Sequence, residues 1–135
     1  MKIGANTGCF ACGAANPIGL GLAFAPHGEG VRTAFTPLSW HQGYDGLVHG
    51  GIIAVLLDEA MAHALIARGL YGVTARLNVR FRAPWPVGTP AFAAGRLARL
   101  RGRIAETEGS VEMDGGLVVA DAEAVFVLQG EGEKD

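Results

Sequence analysis

The sequence lacks an excess of charge of one sign, and that removes the first class of partner. A net charge of -2 gives no electrostatic reason to expect a nucleic acid or a membrane surface, although Arg96, Arg99, Arg101 and Arg103 stand close together. Long hydrophobic runs are missing too. No apolar stretch reaches the ~18 residues of a membrane span, and the opening MKIGANTGCF lacks a basic region followed by an apolar core. Neither a span nor a signal peptide is expected, and the expected compartment is the cytoplasm. Cysteine is limited to Cys9 and Cys12, in CFACG. A lone C-x-x-C supplies half of a tetrahedral zinc site, and nothing fixes the spacing of His27 or an aspartate to complete it. The expectation is two reduced thiols, with no metal and no cofactor. Internal repeats and low-complexity segments are also absent.

What is present suits one domain over residues 1–135, since half of the residues are hydrophobic and the length is enough for a core. Residues 1–19 are rich in glycine and turn formers and read as an irregular arm, with Pro17 and Gly19 leading to the first strand; residues 130–135, GEGEKD, read as a frayed tail. LGLAFAP and GVRTAFTP are strand-like and flank the turn signal from His27 to Gly30, which predicts a hairpin. After a glycine-broken loop, an apolar helix begins at or near Gly50 and ends at Gly69 to Gly72, with Arg68 in its last turn.

Four further strands are predicted. In VTARLNVRFRAP, Val73, Ala75, Leu77, Val79 and Phe81 alternate with Thr74, Arg76, Asn78, Arg80 and Arg82, the pattern of a half-buried strand. The stretch from Thr89 to Met113 divides into two long strands, and Asp114-Gly115-Gly116 turns the chain into LVVADAEAVFVLQ. One apolar helix among so many strands is covered only if a curved sheet wraps round it, an α+β arrangement with one central helix.

Within that helix stands a carboxylate. Asp58 shares a stripe with Gly51, Val55, Met61, Ala62 and Leu65 at helical spacing, so on this reading it projects from an apolar face. An unpaired buried carboxylate costs several kcal/mol or takes up a proton. Such a group has chemical work to do, or bonds a neighbouring polar side chain, or reaches solvent on a rotated helix. At the other end of the helix, the amides of Gly50 and Gly51 lack intrahelical acceptors and the dipole is positive, which suits a carbonyl oxygen gaining charge. His49 either orients a substrate or ties the loop by hydrogen bonds. His41 and His63 read as structural or exposed.

The order of elements, the HGG that opens the helix and the aspartate inside it resemble the hotdog fold, specifically the PaaI-like acyl-CoA thioesterases. The arm CFACGAANPIGLGL is similar to one seen in a branch of that family, so the resemblance covers nearly the whole chain. It implies hydrolysis of an acyl-CoA thioester to free acid and coenzyme A, with coenzyme A part of the substrate and no further cofactor. Gly50 matches the family's backbone oxyanion donor, Asp58 its nucleophile or general base, and Thr74 a hydroxyl that positions water. His49 and Gly51 stand where substrate is met. Arg80, Arg82 and the Arg96 to Arg103 group are candidate phosphate partners or solvated strand faces. Many relatives carry Asn where this chain has Gly43, with His41 or Gln42 as possible substitutes.

Gly50 and Asp58 are eight residues apart, about 12 Å along a helix, so one carbonyl cannot touch both within a chain. A site that uses both takes the aspartate from a second subunit across a two-fold axis, which implies a homodimer or a dimer-of-dimers tetramer. Trp40, Tyr44 and Trp85 line an acyl pocket or belong to the core or interface. Two alternatives remain: an acyl-CoA binding or sensing protein, which needs no Asp58, and a hotdog dehydratase or hydratase, which needs a histidine and acid pair in another loop context.

Overall fold

The computed structural model describes residues 8–130; residues 1–7 of the expected arm and 131–135 of the expected tail lie outside them. Strands β1 (Ala25–His27) and β2 (Gly30–Phe35) are followed by helix α1 (Gly50–Ile66). Strands β3 (Gly72–Phe81), β4 (Ala91–Arg101), β5 (Ile104–Met113) and β6 (Val118–Leu128) complete the order. All pairings are antiparallel, in the spatial order β1-β2-β4-β5-β6-β3. β4, β5 and β6 form a meander, and α1 carries the chain from β2 on one side of it to β3 on the other.

α1 buries Ile53, Leu56, Leu57, Ala60, Met61, Ala64 and Leu65, the three-and-four spacing of a core-facing stripe. This stripe lies against β2, β3, β4, β5 and β6, so the sheet curls over the helix. Burial of Leu56, Leu57, Met61 and Leu65 contributes about 1.5–3 kcal/mol each. The facing strand residues are small: Ala93, Ala105, Ala120, Ala122 and Ala124 are buried beside Val111, Val119 and Phe126. At Gly95 on β4 even a methyl group is too much, because a Cβ there would stand 2.3 Å from the Ala60 carbonyl oxygen. Helix main chain rests directly on strand main chain.

Two expectations need correcting. Of the expected first strand only Ala25 and Pro26 pair, joined by His27 from the expected turn, because the amides of Leu20 and Leu22 donate instead to the arm carbonyls of Phe10 and Ala11, both at 2.9 Å. β3 does not keep one alternation: Thr74 opposes Phe126 and Arg76 opposes Val125, which leaves Ala75 as an extra residue in a bulge. The faces swap there. Thr74 is half-buried with Leu77 and Val79, whereas Val73 and Ala75 are exposed and Phe81 keeps 58% of its surface open.

The loop before α1 is held by the β3–β4 connection. Val48 N–H donates to the Trp85 carbonyl and Val87 N–H to that of Gly46, each at 2.9 Å. Trp85 is a core residue, 1% exposed, with its indole N–H bonded to the Thr89 carbonyl at 2.8 Å. Trp40 and Tyr44, at 75% and 85%, are exposed on the single chain.

Candidate active site

α1 opens with a histidine cap. His49 is extended at φ -64, ψ 134, and its Nδ1 accepts the Gly51 N–H at 2.8 Å. An accepting Nδ1 fixes the neutral ring as the Nε2–H tautomer. The His49 N–H in turn donates to the His41 carbonyl at 2.9 Å, and the next two helical amides, of Ile52 and Ile53, bond to the His49 carbonyl. Of the two glycines, Gly51 has its donor engaged. Among the described residues the Gly50 N–H meets no acceptor, so it is the open donor at the positive end of the helix. The Phe81 ring lies beside it, 3.6 Å from where a Gly50 Cβ would stand. Phe81 keeps the face that the alternation gave it, in step with Leu77 and Val79, and at the end of β3 that face meets the start of α1.

Asp58 is half-buried and flanks the buried stripe. Of its expected companions, Met61 and Leu65 belong to the core, Val55 and Ala62 share its partial exposure, and Gly51 is exposed. Thr74 Oγ1 donates to Asp58 Oδ1 at 2.8 Å, the carboxylate's one hydrogen bond among the described residues. Burial pushes the Asp58 carboxyl above its usual range; the Thr74 bond pulls it back, and the adjacent Glu59 charge pushes it up again. The result is a basic, half-exposed carboxylate with its other oxygen open. The bulge at Ala75 brings Thr74 to it, since unbroken alternation would have turned Thr74 the other way.

The remaining predicted residues are engaged elsewhere. Arg80 bonds Asp121 at 2.8 Å and Glu123 at 3.0 Å, and Arg82 also bonds Asp121, in a ladder across β3 and β6. A phosphate would compete with these carboxylates. Arg96 pairs with Glu108, and Arg103 donates to the Leu128 carbonyl at 3.1 Å. His41 is buried, its Nδ1 accepting from Leu38 N–H at 2.9 Å, and Gln42 Oε1 accepts from Gly46 N–H at 2.9 Å. Both side chains are engaged in holding the loop. A Cβ at Gly43 would stand 3.2 Å from the His49 Cα, leaving little room for a side chain.

One cluster was not expected. Cys9, Cys12 and Glu59 each bring a ligand atom to within 4.8 Å of the others. His63 Nε2 lies 3.1 Å from Glu59 Oε2. Burial raises Glu59, but bonds from His63 first, then Cys12 and Cys9, hold it below its usual range. Burial, with Glu59 and Cys9 alongside, pushes the Cys12 thiol up.

A six-stranded antiparallel sheet curled over one long helix, with a carboxylate on the helix flank, defines a protein of the hotdog class. The sequence pattern described as Thioesterase superfamily matches residues 45–120, which include α1 and β3, and the chain belongs to that family. Among curated proteins it is similar to "Acyl-coenzyme A thioesterase THEM4" of Mus musculus, 29% identical over 87 residues that cover 64% of this chain and 37% of that protein. The chain spans less than half the length of the first curated relatives it matches. Among solved structures, the thioesterase superfamily protein RHA08564 matches with a TM-score of 0.82 and 31% identity over 87% of this chain and 61% of that one. The Escherichia coli PaaI protein has the same fold, with a TM-score of 0.77 over 84% and 83% of the two chains at 20% identity.

Proposed function

We propose that this chain hydrolyses acyl-CoA thioesters to the free acid and coenzyme A, in a homodimer whose sites each combine Gly50 of one protomer with Asp58 of its partner. The observation that carries this reading is the pairing of an open Gly50 N–H with a raised, Thr74-held Asp58 on the same helix. About 12 Å of helix separates them, too far for one carbonyl. A second α1 running antiparallel across a two-fold axis brings the two groups together twice. β3 supports such a dimer: among the described residues it is a ten-residue edge strand paired only with β6, and a long edge of that kind is a template for a second copy.

Ionised Asp58 either takes a proton from the attacking water or attacks the carbonyl carbon itself. In both routes the carbonyl oxygen gains negative charge against the Gly50 N–H, and the tetrahedral species collapses with loss of the coenzyme A thiolate. In the first route the thiolate recovers the proton held by Asp58; in the second, water then cleaves the acyl–Asp58 anhydride to the free acid and restores the carboxylate. Coenzyme A as the leaving group is inferred from the similarity to the mouse acyl-coenzyme A thioesterase, together with family membership. A panel of acyl-CoA esters assayed for free-thiol release tests the proposal. Turnover of about 1 s⁻¹ or faster on at least one ester is expected. Folded protein that binds these esters and releases no thiol would be a binding protein instead.

Thr74→Ala tests the positioning of Asp58. Loss of one bond to a charged group is expected to lower kcat/KM about tenfold with little change in KM. Because that bond lowers the Asp58 pKa, its removal also moves the acid limb of the rate profile to higher pH. An unchanged limb would show that Thr74 does not act through Asp58.

A further inference from the structure

The two cysteines acquire partners that their sequence spacing did not reveal. Cys9 and Cys12 close a tight turn in which Gly13 N–H donates to the Cys9 carbonyl at 2.8 Å and Cys12 N–H points to Cys9 Sγ at 3.4 Å. An amide aimed at the sulfur is the kind of outer contact that orients a thiolate ligand. Ala11, between them, is 3% exposed, so the turn is seated on the body of the protein. It lies against α1, with Cys9 Sγ 3.8 Å from Glu59 Oε2. One helical turn further, His63 Nε2 stands 3.1 Å from that same oxygen, and its ring is stacked on Phe24 at 4.5 Å. Glu and His at i and i+4 present two donors on one helix face.

We propose that Cys9 and Cys12 of the arm and Glu59 and His63 of α1 bind one structural zinc ion that pins the arm to the central helix. The separations support it. Zinc bonds of about 2.3 Å to sulfur and 2.0–2.1 Å to oxygen or nitrogen give tetrahedral edges of roughly 3.3–3.8 Å between ligand atoms. The sulfur-to-oxygen separation of 3.8 Å and oxygen-to-nitrogen separation of 3.1 Å are close to those edges. The two thiols and the carboxylate already lie within 4.8 Å of one another; His63 stands outside that group, 3.1 Å from the carboxylate, and a rotation of its side chain off Phe24 would bring it to the fourth corner. A set of two thiolates, one carboxylate and one imidazole suits zinc, which needs no redox partner and accepts mixed sulfur, nitrogen and oxygen ligands. Deprotonation of the thiols then accompanies metal binding, with the protons released to solvent. The site adjoins Asp58 in sequence without including it, so metal content reads out separately from turnover.

The test is elemental analysis of the purified chain after exchange against a weak chelator. About one zinc per chain is expected, falling below about a tenth in Cys9→Ser/Cys12→Ser and markedly in Glu59→Gln and in His63→Ala. Cobalt added to apoprotein should give the visible bands and sulfur charge-transfer absorption of a tetrahedral thiolate site. Both thiols should resist a disulfide reagent until a strong chelator is added. These wild-type readouts decide the matter even if a variant fails to fold. Wild-type protein that takes up neither zinc nor cobalt, with thiols equally reactive with and without chelator, would overturn the site. Full zinc retention by both Glu59→Gln and His63→Ala would overturn the assignment of the helix ligands.

Discussion

Asp58→Asn is expected to lower turnover by about 10²–10⁴-fold, the usual contribution of a positioned base, while folding and binding of coenzyme A esters persist. The amide keeps the shape of the carboxylate and can still accept from Thr74 Oγ1, so only charge and basicity are lost. Stability should move the other way. Burial raises the Asp58 pKa, so the folded chain holds this proton more tightly than the unfolded chain does. Its contribution to stability is therefore greatest below the ordinary carboxylate value and declines as pH rises through the raised one. Asparagine buries no charge. The variant should unfold at or above the wild-type Tm at neutral pH, with the gap closing in acid, as thermal scans across pH would reveal. Wild-type turnover in Asp58→Asn would remove Asp58 from the chemistry. Loss of activity together with a fall in Tm would mark its role as structural.

Mixed dimers are expected to recover roughly a quarter of wild-type activity from two inactive parents, Asp58→Ala and Gly50→Pro, after random subunit exchange. If each site takes Gly50 from one protomer and Asp58 from the other, a mixed dimer carries one doubly defective site and one intact site. Half of the dimers are mixed, and half of their sites work. The structure favours the proline variant as a clean parent. Gly50 is the first residue of α1, where proline is well tolerated, and His49 at φ -64, ψ 134 already has the extended conformation favoured before proline. The new side chain would meet the Phe81 ring at ordinary contact distance. What disappears is the N–H. Verified mixed dimers that stay inactive would show that the two groups do not share a site across the interface.

α1 and the β4–β5–β6 meander were legible in the sequence because each is a local period: apolar residues at three and four, or alternation ended by a glycine turn. Asp58 and Gly50 were legible for the same reason, as a charge and a pair of glycines set against a regular helix. The side of β3 that bears Thr74 was not, because a bulge is one uncounted residue and Ala75 carries no mark of it. Nor did HGG reveal that the His49 ring would engage the second glycine and leave the first open. The arginines read as a basic group in one dimension, yet in the sheet Arg80 and Arg82 face Asp121 and Glu123, some forty residues away. The meeting of the arm with Glu59 and His63 was not legible either, because Cys9 and Glu59 are 50 residues apart.

The contact at Gly95 bears on how such a chain can change over generations. Its missing side chain lets the Ala60 carbonyl settle on β4, and Asp58 lies two residues before Ala60 on the same rigid rod. The depth of the Asp58 carboxylate is therefore set by main chain against main chain, and the side chains around it are free of that task. Residues along the outer flank of α1 can then be exchanged without shifting the position of Asp58. The periphery of α1 is open to drift, provided one hydrogen atom on β4 is never traded for carbon.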